Sequence, residues 1–302
     1  MFVVTYRKIF YGISIILMVL SLGAIGMYGL NVGIDFRGGS ILEIEYPAGR
    51  PAQTVLEEVI APFGLKASVR PAGEIGYIIR MRSLSEPERL SLTQAVTFGG
   101  TQKVQEKRFD SIGPTLGNES AKKSFASIAI VIIAIVLFIA FAFRKVSEPV
   151  SSWKYGIIAI IALVHDVIVP TGVFAALGHF KGYEIDSLFV TALLVVLGFS
   201  VHDTIVVFDR VRENLKNNRV YGKKQTFEQI VGNSISQTFT RSINTSLTVF
   251  LSLMALYFVG GPATQHFTLA LLIGIVAGTY SSIFLGSPLL VTMEKWQNRK
   301  NK

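Results

Sequence analysis

The sequence predicts an α-helical polytopic membrane protein of six transmembrane helices, with an α+β domain of ferredoxin-like βαββαβ order between the first and the second. Three observations carry this prediction. Half of the 302 residues are hydrophobic and only 16% are charged, against about 25% charged in soluble domains. The apolar residues collect in six long runs, and about 20 such residues are what a ~30 Å hydrocarbon layer requires. The basic residues fall in alternate loops, as one fixed orientation of six spans produces. The mean hydropathy of +0.49 agrees.

The first run extends from Ile9 to Leu30, after Arg7 and Lys8. A basic start and an apolar run also describe a signal peptide, but this run is too long for one and no small-x-small cleavage site follows. It reads as a retained anchor, in a first segment covering 1–30. The other runs, within 123–302, are 124–143, 155–177, 188–208, 243–259 and 267–293. With six spans, one set of segments shares a side: Arg7 and Lys8; Arg144, Lys145 and Lys154; Arg210, Arg212, Lys216, Arg219, Lys223 and Lys224; and Lys295, Arg299, Lys300 and Lys302. The short loops opposite hold only Lys181. Basic loops stay inside, so both termini are expected in the cytoplasm. This placement also accounts for the net charge of +9 without nucleic acid. There are no cysteines, which excludes disulfides and thiolate metal sites.

Residues 31–122 then lie outside, too long and polar for a loop. Alternation predicts strands over Ile41–Tyr46, Ala67–Arg70, Tyr77–Arg82 and Val104–Phe109. A helical period predicts helices over Ala52–Phe63, with Val55, Val59 and Ile60 on one face, and over Glu86–Val96, with Leu90, Leu92 and Val96 apolar. The order is βαββαβ.

Ionisable groups within the spans mark candidate function, because a charge at a helix centre costs about 2.5–3.5 kcal/mol on insertion scales. Asp203 sits five residues before Phe208, roughly 8 Å inside the apolar end. His165 and Asp166 fall halfway along the third span. Arg241 enters the fifth span from the side by which the fourth leaves, at the depth of Asp203, so the two are expected to pair. Ser200, Thr204, Asn244 and Thr245 add polar groups nearby. A buried carboxylate has its pKa raised by desolvation and lowered by a nearby cation. Helix movement that changes the distance between them would therefore bind or release a proton, and His202 could tune or relay it. The alternative is a static ion pair pinning two helices, with Arg241 snorkelling to the interface. Nothing in the sequence makes the two His-Asp pairs converge on a metal.

Ala270, Gly274, Gly278, Ser282 and Gly286 recur every four residues in the sixth span. Such a stripe lets another helix approach closely, either inside the bundle or on a partner subunit. The sequence contains no P-loop, H-E-x-x-H or G-x-S-x-G motif, so no enzyme activity and no cofactor is expected. Energy for any work would come from an ion gradient or a partner.

Four motifs, in order and on the expected helices, resemble those of the SecF family of the SecDF export complex. They are Gly33-Ile-Asp-Phe-Arg-Gly-Gly39, Val201-His-Asp-Thr-Ile-Val-Val-Phe-Asp-Arg-Val-Arg-Glu-Asn214, Arg241-Ser-Ile-Asn-Thr-Ser-Leu-Thr248 and Gly278-Thr-Tyr-Ser-Ser-Ile-Phe284. The resemblance covers nearly the whole chain. It implies an RND-type, proton-motive-force-driven subunit of the bacterial inner membrane that assists Sec-dependent translocation of polypeptide. The implied partners are SecD in a heterodimer, the SecYEG channel, SecA indirectly, and YajC as a further candidate. The implied relay residues are Asp203 and Arg241. One departure stands before the carboxylate: the family motif usually has Asn where this chain has His202. Gly38 and Gly39 match the glycine signature and read equally well as a turn into the first strand. The competing readings are half of an RND-type exporter of lipid or small molecules, for which an outer domain of about 90 residues is small, and a non-catalytic scaffold.

Overall fold

A computed structural model describes residues 2–65, 67–143, 152–222 and 225–300. The expected loop cations Arg144, Lys145, Lys223, Lys224 and Lys302 lie outside the described residues. In chain order, α1 (Phe2–Thr5) and α2 (Arg7–Tyr28) are followed by a single turn, α3 (Ile34–Arg37). Then come β1 (Gly39–Glu45), α4 (Gln53–Ile60) with a 3₁₀ turn at Ala61–Phe63, β2 (Ser68–Ala72), β3 (Gly76–Met81), α5 (Glu86–Val96) and β4 (Gln105–Ile112). The remainder is α6 (Pro114–Ala142), α7 (Ser152–Lys181), α8 (Ser187–Val220), α9 (Phe227–Val259), α10 (Pro262–Tyr280), a π-helical turn at Ser281–Gly286, and α11 (Ser287–Lys300). The chain divides into two compact units, Val32–Phe125 and Met1–Asn31 with Ala126–Lys302.

The first unit is the expected βαββαβ domain. Its sheet runs β2-β3-β1-β4, antiparallel throughout. Leu42, Ile44 and Tyr46 point to one face by strand alternation and pack with Ile79, Leu56, Ile60, Leu92 and Val96. The Tyr46 hydroxyl donates to the Val96 carbonyl at 3.0 Å, and burial beside Tyr77 pushes its pKa up to about 12. Helix α5 has the predicted bounds because a capping box starts it: Glu88 accepts from the Ser85 backbone N–H at 2.9 Å. Each expected apolar face has one residue that points out: Val55 and Leu90 are exposed, whereas Ile60, Leu92 and Val96 are buried as expected and Leu56 completes the α4 face.

Gly38 and Gly39 serve as the turn into β1. Gly38 has φ 75° and ψ 164°, a region essentially restricted to glycine, and a Cβ there would lie 2.7 Å from Pro114 Cα. A Cβ on Gly39 (φ 138°) would meet the Met81 carbonyl at 2.8 Å.

In the second unit, six helical segments among the described residues are long and apolar enough to span a membrane. They are unequal in burial. About half or more of the apolar stretch is buried in α7 (56%), α8 (50%) and the sixth span running from α10 into α11 (72%), but only 11% in α2, α6 and α9. The first three therefore form the centre.

Helices α8 and α9 outrun their apolar stretches. Residues beyond 208 and before 243 continue as helix because those segments pack on the same core, through Val211, Phe227, Val231 and Ile235. Asn214 donates to Ser234 Oγ at 2.9 Å between them. At this end Glu228 accepts from Arg7 at 2.6 Å and from Lys295, and Tyr11 meets Thr292 at 2.9 Å. At the other end Asn31 donates to the Tyr183 carbonyl at 2.9 Å, and its own carbonyl accepts from the Ile185 N–H at 2.8 Å. Both ends of the described chain thus sit at one end of the bundle, as an even number of spans requires.

Candidate functional site

The carboxylate of Asp203 is buried on α8. Ser246 of α9 donates to its Oδ2 at 3.4 Å, and Thr279 of α10 donates to Ser246 Oγ at 2.7 Å. Ser242, one turn before Ser246, is buried beside the same carboxylate without reaching hydrogen-bond geometry. His202 Nδ1 lies 3.9 Å from Asp203 Oδ1, yet the His202 side chain is 59% exposed.

Arg241 is exposed, and among the described residues no ion pair joins it to Asp203. Asn244 is also exposed, and the Thr245 hydroxyl donates to the Arg241 carbonyl at 2.9 Å. The structure therefore brings Asp203 and His202 together but aims different polar residues of α9 at the site. Each residue turns a helix by about 100°, so Ser242 and Ser246, four apart, share the face toward α8. That i, i+4 serine pair was the available signal.

Asp166 makes a second, tighter cluster. It is fully buried on α7. Ser200 of α8 donates to its Oδ2 at 2.5 Å, Ser281 of the sixth span donates to the same oxygen at 2.8 Å, and His165 Nδ1 lies 3.0 Å from Oδ1. Pro170, four residues on, has no N–H to offer the Asp166 carbonyl.

The π-helical turn explains how adjacent serines serve two helices. Its wider i to i+5 spacing, seen where the Ser287 backbone N–H donates to the Ser282 carbonyl, lets Ser281 face Asp166 while Ser282 faces α8. Ser282 Oγ lies 2.9 Å from Thr204 Oγ1 and donates to the Ser200 carbonyl at 3.0 Å.

The small-residue stripe lies along the same seam. A Cβ on Gly278 would stand 2.9 Å from Ser200 Cβ, one on Gly274 would overlap Val196, and one on Gly286 would come 3.8 Å from Ile158. These contacts are all within the chain, so the stripe acts as internal packing. Among the described residues no three His, Asp or Glu side chains gather as a metal site.

The two carboxylates, each held by serines of the neighbouring spans inside a six-span bundle with a ferredoxin-like insertion, define a membrane protein with an ionisable interior. The chain belongs to the SecD/SecF family of protein export membrane proteins, on its SecF side. The family model for the SecD/SecF C-terminal region matches residues 93–296, and the SecD/SecF GG motif matches residues 23–46. The protein translocase subunit SecF of Thermobaculum terrenum is 45% identical over 98% of this chain and 94% of its own length. The SecF subunit of Anaerolinea thermophila is 38% identical over 97% and 94%. The crystal structure of SecDF from Thermus thermophilus superimposes with a TM-score of 0.82 at 29% identity, over 98% of this chain and 38% of that one. SecDF in a super-membrane-facing form gives 0.66 over the same shares. These relatives are named as translocase proteins, not as enzymes.

Proposed function

We propose that this chain is the SecF-type half of a proton-driven complex that assists Sec-dependent polypeptide export across the bacterial cytoplasmic membrane, with both termini in the cytoplasm. Its partner is a SecD subunit, and the pair works beside the SecYEG channel, with SecA acting on the other side and YajC as a further companion.

The observation that supports this reading is the line from Asp203 through Ser246 to Thr279, which ties a buried carboxylate of the fourth span to the fifth and sixth. Ionised, Asp203 holds Ser246 as a donor. Protonated, it no longer needs that donor, and the hold on the fifth span weakens. Proton arrival is thereby converted into a change in how three helices are tied together. Arg241, on the same helix as Ser246, is the cation that stabilises the ionised state when α9 shifts toward α8. Asp166, with its hydroxyl donors, keeps the third, fourth and sixth spans together while this happens. The outer domain, attached to the first and second spans, carries the motion to the emerging polypeptide. Support for a moving assembly comes from SecDF itself, whose two solved forms fit this chain to different extents.

The test is secretion into vesicles with and without a proton gradient. Asp203→Asn should abolish gradient-dependent stimulation and leave ATP-driven entry into the channel intact. Unchanged stimulation would refute the role of Asp203.

A further inference from the structure

Beyond the relay residues of that reading, the geometry points to His165 as a second proton-binding group of the bundle, oriented by Asp166 through Nδ1 and taking its proton at Nε2. The inference rests on the proton-driven reading above but concerns a residue that reading does not use.

His165 is 1% exposed, on α7. Its Nδ1 faces Asp166 Oδ1 at 3.0 Å. A carboxylate oxygen accepts, so Nδ1 carries a hydrogen, and in the neutral ring Nε2 is then the atom with the free lone pair. That atom is buried and, among the described residues, has no hydrogen-bond partner. A buried polar atom with no partner forfeits the hydrogen bond it had in water, at a cost of about 1–3 kcal/mol. A ring serving only to hold Asp166 needs Nδ1 alone, and an amide would do the same without a basic nitrogen.

The charge balance favours a proton at this ring. Asp166 accepts three bonds, two of them from hydroxyls on other helices. This is the environment of an ionised carboxylate, yet no lysine or arginine reaches it among the described residues. A lone buried charge is costly, and breaking a buried pair leaves the same penalty behind. A proton bound at Nε2 makes the ring an imidazolium, with Nδ1–H still shared with Oδ1, and the His165–Asp166 pair becomes neutral as a whole. No bond other than N–H forms or breaks.

The groups around the ring are few. Asp166 lies on its own helix. The sixth span brings Tyr280, whose ring stacks on His165 at 6.2 Å between centroids and whose hydroxyl donates to the Phe10 carbonyl at 2.8 Å. The fourth span brings the Ser200 hydroxyl to the Asp166 side. The first span brings Ser14, buried beside the Tyr280 hydroxyl. Ser14 Oγ is a second buried polar atom without a partner. Ser14 from the first span and His165 from the third thus both approach Tyr280. Protonation there charges the ring that contacts the sixth span immediately before its π-helical turn, where Ser281 and Ser282 tie it to α7 and α8.

The test uses the intact complex in vesicles. His165→Asn keeps an amide donor toward Asp166 and removes the base. Gradient-dependent stimulation of export should fall by about tenfold or more, with ATP-driven entry and protein level unchanged, while His165→Gln, which places its amide near Nε2, should not restore it. Full stimulation in His165→Asn would overturn the inference. Asp203→Asn in the same assay separates the two ideas: if it retains stimulation, proton drive through Asp203 fails, and His165 is judged by a second measurement. That measurement is the ¹⁵N-imidazole spectrum of the wild-type chain, with the other three rings assigned by His179→Gln, His202→Gln and His266→Gln. Spectra recorded from about pH 8 to about pH 5 should show a proton on Nε2 of His165, with Nδ1 protonated throughout. A ring that stays neutral across that range would overturn the inference even if the Asn variant failed to accumulate.

Discussion

The bond from Ser200 to Asp166 measures whether the caged carboxylate carries a charge. Ser200→Ala removes one donor at 2.5 Å and leaves in place the Ser200 carbonyl that accepts from Ser282. Hydrogen bonds between side chains in membrane bundles average about 0.6 kcal/mol and reach about 1.7. Bonds to charged groups are worth about 1.5–3 kcal/mol. The two ranges barely overlap, so the size of the loss identifies the acceptor. With Asp166 ionised, Ser200→Ala should cost about 2 kcal/mol. At roughly 2–4 °C per kcal/mol for a unit of this size, the bundle's midpoint should fall by about 4–8 °C. The control is a double-mutant cycle with Asp166→Asn. In that background the same serine substitution should cost no more than about 0.6 kcal/mol, within about 2 °C. Thermal unfolding of the detergent-solubilised chain, followed by helical signal, reads all four corners. Equal shifts in both backgrounds would refute an ionised Asp166, and with it the charge argument for His165.

Two further predictions concern the outer unit. Gly38→Ala combines a glycine-only backbone region, about 1–3 kcal/mol, with a contact at 2.7 Å to Pro114 backbone that only a main-chain shift relieves. It should lower the urea midpoint of the unit by about 2 M or more at a slope near 1 kcal/mol/M. Gly64→Ala, left-handed at φ 61° but in open space, should cost about 1–2 kcal/mol, and equality of the two would undo the close-approach argument. Glu88 predicts an acid limit. The Arg82 guanidinium, and then the Ser85 backbone and hydroxyl, hold its carboxyl at about 2, below the ordinary 4.5. Because the folded state favours the ionised form, the stabilisation is complete above 4.5 and disappears as pH falls through about 2. Pepsin cleavage of the α5 segment should rise across that window in the wild type and be insensitive to it in Glu88→Gln.

The parts of the fold that were legible in the sequence are those where one periodicity or one capping device decides. Six apolar runs gave six spans, and the helical period gave α5 the bounds that the Ser85–Glu88 capping box fixes in the structure. The extensions of α8 and α9 were not legible by hydropathy. Arg210, Glu213 and Asn214 dilute the apolar signal, although Val211, Phe227, Val231 and Ile235 keep a helical phase that packs on the core. The candidate site divides along the same line. Burial of Asp166 and Asp203 followed from the cost of placing a carboxylate in a span. Their partners did not follow, because depth along a helix is only one coordinate. Arg241 shares the depth of Asp203, but azimuth decides contact, and azimuth presents Ser242 and Ser246. Ser281 is 115 residues from Asp166, and its approach depends on the π-helical turn, a local widening that no hydropathy pattern records.

The exposed residues of the bundle carry one more argument. Leucine and isoleucine on α2, α6 and α9 are at ease against lipid, so their exposure alone says nothing about a partner. His202 is different. Its side chain is 59% exposed, next to a buried carboxylate and within an apolar run that hydrocarbon would surround. An imidazole facing acyl chains would lose its hydrogen bonds with nothing in return. The face of α8 that bears His202 therefore needs cover from protein or from water held by protein. A second bundle laid on that face supplies it. The matched SecDF chain, of which this chain accounts for 38%, has the further length such a bundle would need. On this argument the face of α8 that bears His202, beside Asp203, is one that a second bundle would cover.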